Sequence, residues 1–276
     1  MKSKALAAPY LVWMTIFTVV PLAIVAWFAF TDSSGAFTLA NIAHVGTYTH
    51  IFLKSIWLSI LAAAICLVIG YPVAYCIAGC SPTNQRILYM LVMLPMCMSF
   101  LLRTLAWVGL LQDTGIINTF LAKIGLPHAP GEPVVHLIRT PGAVILGMVY
   151  NYLPYMILPL YSIIVKIDRR LIEAAEDLGC SGVKVFSKVI LPLSMPGILT
   201  GMTMVFVPAV STFYISNKMG STETILIGDI IERQFKQGDN ANMGAALSLL
   251  LMLLVFVCTG IINRFGSNDE EGTVIV

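Results

Sequence analysis

Long apolar segments alternate with short polar ones along the chain, and six of the apolar segments are long enough to cross a bilayer. A hydrocarbon layer of about 30 Å requires about 20 helical residues. The candidate spans are residues 5–30, 54–78, 87–111, 141–165, 197–215 and 244–262. The pattern predicts an all-α polytopic membrane protein with six transmembrane helices and both chain ends on one side.

The first apolar segment has an alternative interpretation as a signal peptide, because it follows Lys2 and Lys4. The segment is long for that role, it lacks a small-residue cleavage site, and Pro21 and Trp27 continue it. We therefore predict a retained first span.

The polar segment at residues 166–192 is the most strongly patterned part of the chain. Its first half places apolar and acidic residues on opposite sides of a short helix, with Leu171, Ala174, Ala175 and Leu178 against Glu173, Glu176 and Asp177. Gly179 is expected to end this helix, and Ser181 to cap a second one. The second helix would have an apolar side formed by Val183, Phe186, Val189 and Ile190, and it would end at Pro192.

This segment resembles the EAA loop of the membrane subunits of ABC importers. The matching residues are Glu173, Ala174 and Ala175, then Gly179, then Leu191 and Pro192, while Val189 stands where the family usually has isoleucine. The resemblance implies that these six matching residues couple the permease to a cytoplasmic ATPase, into which the loop docks. The order and length of the apolar segments also resemble polyamine permeases over nearly the whole sequence.

The family resemblance carries several further expectations. Residues 1–276 would form a single transmembrane permease domain with the type I ABC importer (MetI-like) fold. The chain would lie in a bacterial cell membrane with both termini cytoplasmic, and it would translocate spermidine or putrescine. Its partners would be a second, similar permease, two ATPase subunits and an extracytoplasmic solute-binding protein. ATP and magnesium would bind to the ATPase, and this chain would hold no cofactor.

Composition supports the membrane assignment independently. Hydrophobic residues make up 58% of the chain and charged residues 11%, which is too little charge to cover a soluble globule. The net charge of +2 gives no reason to expect a nucleic-acid partner. The predicted cytoplasmic side has nine basic residues against six on the other, namely Lys2, Lys4, Arg86, Lys166, Arg169, Arg170, Lys184, Lys188 and Arg264 against Lys54, Lys123, Arg139, Lys218, Arg233 and Lys236.

The sequence has no pattern that predicts an enzyme. We find no combination of nucleophile and base, no C-x-x-C pair and no metal-ligand spacing among the histidines. The phosphate-binding pattern G-x-x-x-x-G-K-[ST] does not occur either. We therefore predict a non-catalytic subunit without a metal site, whose energy comes from ATP bound to another chain.

Two alternatives remain at this stage. A secondary transporter or a channel would work without ATP, but all 14 carboxylates lie outside the predicted spans, which disfavours ion coupling. A channel would leave the patterned loop unexplained. A related importer for another small solute also stays open, because Asn217 and Lys218 follow the Tyr-x-Ser sequence where an acidic residue is expected.

Prolines inside the spans indicate a solute path. Pro154 and Pro208 free backbone carbonyls that protein groups or a water-filled cavity must satisfy. Nearby hydroxyl and aromatic groups suit an ammonium chain through hydrogen bonds and cation–π attraction, and we predict path residues Tyr152, Tyr155, Ser211, Phe213 and Tyr214. An aromatic belt at the membrane interface is the alternative.

Two further features each have a functional and a structural interpretation. Arg103 is the only charge well inside a span. It would repel a cationic solute, which favours a structural or gating role over a place in the solute path. The last external loop predicts a helix with an apolar face formed by Ile227, Ile230, Ile231 and Phe235, while the acidic residues lie elsewhere in the loop, namely Glu223, Asp229, Glu232 and Asp239. Such a surface would help to receive the binding protein, or it would be a plain interfacial helix.

Overall fold

A computed structural model describes residues 9, 12–32, 34–125, 133–236 and 240–270. Across these residues the regular structure is helical, apart from one isolated antiparallel bridge between Thr31 and Phe37. The described residues include five helices that are long and apolar enough to cross a membrane, or up to six if one bent pair counts as a single span. The prediction of an all-α membrane protein is confirmed.

The helices follow the predicted segments closely. In chain order they are α1 (Val12–Ala29), α2 (Ala40–Val45), α3 (Thr49–Gly79), α4 (Pro82–Met93), α5 (Phe100–Leu111), α6 (Ile116–Lys123), α7 (Pro141–Ile164), α8 (Arg169–Asp177), α9 (Gly182–Leu193), α10 (Met195–Val210), α11 (Tyr214–Met219), α12 (Ile227–Lys236) and α13 (Ala241–Glu270).

The first of two hydrophobic cores lies where α3, α7 and α10 pack against one another. Small residues on α3 meet larger ones on the other two helices, and the buried set includes Ala62, Ala63, Cys66, Met148, Met156, Leu160, Val205 and Ala209. Of the predicted path residues, Tyr152 and Tyr155 lie on α7, and Ser211 and Phe213 follow the end of α10.

Glycines on α10 allow its close approach to α7, as the G-x-x-x-G spacing of Gly197 and Gly201 predicts. A Cβ atom added to Gly201 would lie 2.7 Å from the Met156 sulfur, and one added to Gly197 would lie 3.2 Å from the Pro159 carbonyl oxygen. A larger residue at Gly201 would therefore force the Met156 side chain to move.

The second core joins α13 to α1, α2, α10 and α12. Its buried side chains include Ala29, Phe52, Phe206, Val210, Ile227, Ala245, Ala246 and Leu247. Apart from the buried Ala29, most apolar side chains of α1 are exposed, as expected for a helix surrounded by lipid or by another membrane subunit.

The predicted third span, residues 87–111, is interrupted at Pro95, where the proline predicts a break, and it divides into two helices. Pro95 lies in a 3-10 turn at Leu94–Cys97, and Met98 is extended, so α4 and α5 are separate helices of 12 residues each. Proline lacks the N–H group that would continue the helical hydrogen bonds, which explains the position of the break. The span-length apolar stretch in this region is Phe100–Lys123, comprising α5 and α6.

The predicted fifth span, residues 197–215, also has different limits. Helix α10 begins at Met195 and ends at Val210, two residues after Pro208. The Ser211 hydroxyl donates to the Val207 carbonyl oxygen at 3.1 Å, which satisfies one of the last carbonyl groups of the helix. A short non-helical segment then leads to α11.

Candidate functional site

The predicted coupling loop forms two short helices, α8 and α9, joined by a tight turn. Asp168 begins α8, and its Oδ1 accepts a hydrogen bond from the Arg170 N–H at 3.0 Å. Gly179 lies in the left-handed region with φ of 79°, and its N–H donates to the Glu176 carbonyl oxygen at 2.8 Å. Glycine reaches this conformation without strain, so the helix ends where the sequence predicts.

The buried side of α8 differs from the predicted apolar side. Ile172 and Ala175 are half-buried, whereas Leu171 is 50% exposed and Leu178 is 85% exposed. Leu171 and Leu178 are seven positions apart and therefore share one side of the helix. Leu171 and Leu178 therefore leave apolar surface exposed on a loop between two membrane-embedded helices.

The second helix of the loop also shows a different buried side from the prediction. Val185 and Ile190 are the buried residues, whereas Val183 is 78% exposed. A π-helical turn at Phe186–Ile190 shifts the later residues around the helix axis, which a regular period of 3.6 residues does not anticipate. The Ser181 side chain makes no capping hydrogen bond, and only its carbonyl oxygen accepts from the Val185 N–H.

The helical run of α9 continues past Pro192 and bends at Ser194. Helices α9 and α10 meet there at an angle of 64°. Phe186 fixes α9 to the membrane-embedded part of the chain, because its ring makes T-shaped contacts with Tyr71 and Tyr75 at centroid distances of 5.4 and 6.1 Å. Sequence patterns gave no signal for this contact, since Tyr71 and Phe186 lie far apart in the chain.

The six predicted coupling residues occupy different environments. Glu173, Ala174, Gly179 and Pro192 are exposed, while Ala175 and Leu191 are half-buried. Glu173 also lines a cavity of about 640 Å³, which separates α8 from the ends of α3 and α7. A docking role requires exposed residues, and four of the six are exposed.

The predicted path residues divide into a buried and an exposed set. Tyr152 is only 7% exposed, and its hydroxyl donates to the Pro208 carbonyl oxygen at 3.3 Å, which links α7 to α10. Tyr155 and Phe213 are 37% and 42% exposed, and Ser211 is exposed as well. Tyr214 is half-buried, with its ring 6.1 Å from that of Phe100.

Ser211 and Phe213 line the same cavity, of about 450 Å³, between α10, α12 and α13. Tyr152, Tyr155 and Tyr214 are not among the residues that line it. The structure therefore brings together two of the five predicted path residues in one cavity, and it places Tyr152 as a packing residue between two spans.

Arg103 is almost completely buried in α5, with 7% of its surface exposed. Its Nε and Nη1 atoms have no hydrogen-bond partner in the part of the chain that the structure describes. Phe100 and Trp107, one turn before and after it, pack against the rings of Tyr214 and Tyr150 at tilted and edge-on angles. This arrangement fits a structural position on the packed side of α5.

The burial of Asp229 in α12 differs from the prediction for the external helix. The prediction separated the acidic residues from the apolar face, but Asp229 is only 2% exposed and its Oδ1 has no hydrogen-bond partner among the described residues. Burial raises the pKa of the Asp229 carboxyl, while the Leu226 N–H, which donates to Oδ2 at 2.9 Å, acts in the opposite direction. The adjacent Ile227 is fully buried, as predicted for the apolar face.

Comparison with known proteins identifies the family. A family model described as "binding-protein-dependent transport system inner membrane component" matches residues 70–267. The spermidine/putrescine transport system permease protein PotB of Haemophilus influenzae is 37% identical over 257 residues, which cover 89% of this chain and 88% of that protein. PotB of Escherichia coli is 35% identical over 251 residues, with 88% and 90% coverage.

Solved structures with the same fold come from ABC transporters. A transporter involved in the import of the acidic polysaccharide alginate matches with a TM-score of 0.75 and 18% identity, covering 96% of this chain and 94% of that one. The MetNI methionine transporter in an inward-facing conformation matches with a TM-score of 0.60 and 17% identity, covering 80% and 95%. These similarities confirm the predicted fold of an ABC importer permease.

Proposed function

The chain belongs to the family of inner membrane components of binding-protein-dependent transport systems, and we propose that the solute it translocates is a polyamine, spermidine or putrescine. The observation that carries the proposal is the 35–37% identity to spermidine/putrescine permeases over most of both chains. The exposed Phe213 and Tyr155 rings support it, because aromatic faces attract ammonium groups.

The proposal includes an assembly of four kinds of subunit. This permease would pair with a second, similar permease, and two cytoplasmic ATPases would bind below them with ATP and Mg²⁺. An extracytoplasmic binding protein would deliver the solute, and both chain ends would lie in the bacterial cytoplasm. The exposed Leu178 and Val183 side chains support an ATPase contact, because the coupling loop otherwise leaves apolar surface in water.

Alternating access follows from how the coupling loop is attached. Movement of α8 and α9 with the ATPases would pass to α3 through the rings of Tyr71 and Phe186, and to α10 through the bend at Ser194. Because α10 packs tightly on α7, the two helices would turn together. Their rotation would open the solute path alternately to the two sides of the membrane.

Uptake by the reconstituted complex tests the proposal. Vesicles that contain both permeases and the ATPases, with the binding protein outside and ATP inside, should accumulate labelled spermidine. Uptake should stop without ATP and should persist when a protonophore removes the proton gradient. Uptake by this chain alone, driven by a proton or sodium gradient, would contradict the proposal and support a secondary transporter.

An importer for another small solute is the second candidate. The observation that favours it is Asn217 followed by Lys218, where polyamine permeases are expected to have an acidic residue. A competition experiment separates the two candidates. Unlabelled putrescine or spermidine in excess should abolish uptake of labelled spermidine if polyamines are the solute, whereas an ATP-dependent complex that takes up no polyamine would favour the second candidate.

A further inference from the structure

The cavity that contains Ser211 and Phe213 has one acidic side chain in its wall. Glu232 of α12 lines the same space of about 450 Å³, together with Ser248 of α13. The cavity lies at the end of α10 that is far from the coupling loop. Its volume is in the range of small-molecule sites, and its remaining lining is mostly apolar.

Both serine hydroxyl groups of the cavity donate to backbone carbonyls of their own helices, which leaves their oxygens free to accept. The Ser211 hydroxyl donates to the Val207 carbonyl oxygen at 3.1 Å, and the Ser248 hydroxyl donates to the Gly244 carbonyl oxygen at 2.8 Å. Because a hydroxyl has one proton and two lone pairs, each oxygen keeps an acceptor position for another group. This wall therefore suits a ligand that donates hydrogen bonds.

Glu232 forms an ion pair with the ammonium group of Lys236. Its Oε1 is 2.7 Å from the Nζ of Lys236, one helical turn later. The Lys236 side chain is 71% exposed, whereas the Glu232 side chain is 21% exposed. Since exposed pairs of this spacing are weak, an ammonium group that arrives from the cavity can replace Lys236 on the carboxylate.

The rest of the cavity suits a flexible hydrocarbon chain. Phe213 offers an aromatic ring to a cation, and Leu251, Met252 and Val255 offer apolar surface to methylene groups. A carboxylate and two serines facing hydrocarbon would be unfavourable, so we expect the cavity to open toward water inside the assembled permease.

We propose that Glu232, Phe213, Ser211 and Ser248 bind one ammonium end of an aliphatic polyamine, and that Lys236 occupies the Glu232 carboxylate when the site is empty. The proposal rests on the proposed polyamine function, and it assigns the anionic ligand that the Asn217–Lys218 sequence does not supply. An ammonium group would donate to the carboxylate and to both serine oxygens, as its three N–H bonds allow.

Direct binding measurements test the site. We would measure equilibrium binding of labelled spermidine to the purified complex of both permeases and the ATPases, without the binding protein. Glu232→Gln should weaken binding about tenfold, because it removes a charge-assisted hydrogen bond. Lys236→Gln should strengthen binding about threefold, because it removes the competing ammonium group. Glu223→Gln, an exposed external residue outside the cavity wall, should leave binding unchanged.

The opposite signs of the two variants distinguish binding from a structural role. If the Glu232–Lys236 pair only stabilised α12, both variants would change binding in the same direction. Normal spermidine binding by Glu232→Gln, in a complex whose wild type transports spermidine, would overturn the site and leave the proposed function intact. A wild-type complex with ATP-dependent uptake of a different solute and none of spermidine would overturn both.

Discussion

The hydroxyl of Tyr71 in α3 lies 2.7 Å from the hydroxyl of Ser194, at the bend between α9 and α10. Ser194 uses its own proton to donate to the Leu191 carbonyl oxygen at 2.9 Å, so Tyr71 is the donor to Ser194. Both residues are buried, and the hydrogen bond therefore ties the end of the coupling loop to a membrane-spanning helix.

Tyr71→Phe should weaken the coupling between ATP hydrolysis and transport. The variant keeps the ring contact with Phe186 but loses a buried hydrogen bond worth about 0.5–1.5 kcal/mol. We expect the amount of solute transported per ATP to fall roughly 2- to 10-fold while hydrolysis continues. Tyr75→Phe is the matched control, because Tyr75 contacts the same Phe186 ring. Equal coupling ratios in both variants would show that the Tyr71 hydroxyl has no such role.

The turn between α8 and α9 provides a second prediction. Gly179 has φ of 79° and no neighbouring atom within 4 Å of an added Cβ, so Gly179→Ala changes backbone strain alone. We expect a cost of about 1 kcal/mol to the turn, and an association with the ATPase about fivefold weaker. The measurement is co-purification of the ATPase with the permease at several concentrations.

Gly182→Ala is the control for this turn. Gly182 lies in the same loop and also has open space around its Cβ position, but its φ is not positive. It should bind the ATPase like the wild type. If Gly179→Ala also binds normally, the left-handed turn does not determine docking.

The coupling loop shows which structural features local sequence patterns predict and which they do not. The two helices, the turn at Gly179 and the exposed Glu173 follow from local residue preferences, which act over a few positions. The choice of Ile172 over Leu171 as the half-buried residue depends on how α8 is oriented toward the cavity that separates it from α3 and α7, because Ile172 lines that cavity. Periodicity alone identifies an amphipathic helix without giving its orientation to this precision.

The burial of Asp229, near the end of α10 that is far from the coupling loop, is another feature that local sequence patterns do not predict. An acidic residue in an external loop is expected to face water. Its burial results from the docking of the start of α12, where the Ile227 N–H donates to the Ser55 hydroxyl of α3 at 2.8 Å. Because this hydrogen bond joins residues distant in the sequence, no local pattern could predict it.

The buried Asp229 carboxyl should make stability depend on pH. Burial raises its pKa above the ordinary value of 3.8, so the folded state binds more protons than the unfolded chain between these two pKa values. The free energy of unfolding therefore falls as the pH rises from about 3.8 through the raised pKa, and it stays lower above that.

Asp229→Asn tests this pH dependence. The amide keeps an oxygen that can accept from the Leu226 N–H, and it removes the buried charge. We expect the difference between the melting temperatures at pH 5 and pH 8 to be smaller for the variant than for the wild-type complex. Identical pH dependence in the two proteins, measured as thermal unfolding midpoints, would show that Asp229 does not titrate in this range.

The last prediction concerns the role of the Tyr155 and Phe213 rings. The variants Tyr155→Ala and Phe213→Ala distinguish rings that line the solute path from rings of an aromatic belt at the membrane interface. Both rings are partly exposed, and each would contribute a cation–π contact of about 1 kcal/mol if it faces the solute. Their removal should then weaken the apparent affinity for polyamine about fivefold, with the amount of assembled complex unchanged.

A belt of interfacial aromatics predicts the reverse result, because such rings anchor the helices in the membrane. The alanine variants would then assemble less, and transport per assembled complex would be normal. Tyr155→Phe keeps the ring and serves as the control, which should match the wild type under either explanation. Uptake normalised to assembled complex separates the two, and unaltered apparent affinity in both alanine variants would refute the assignment of these rings to the path.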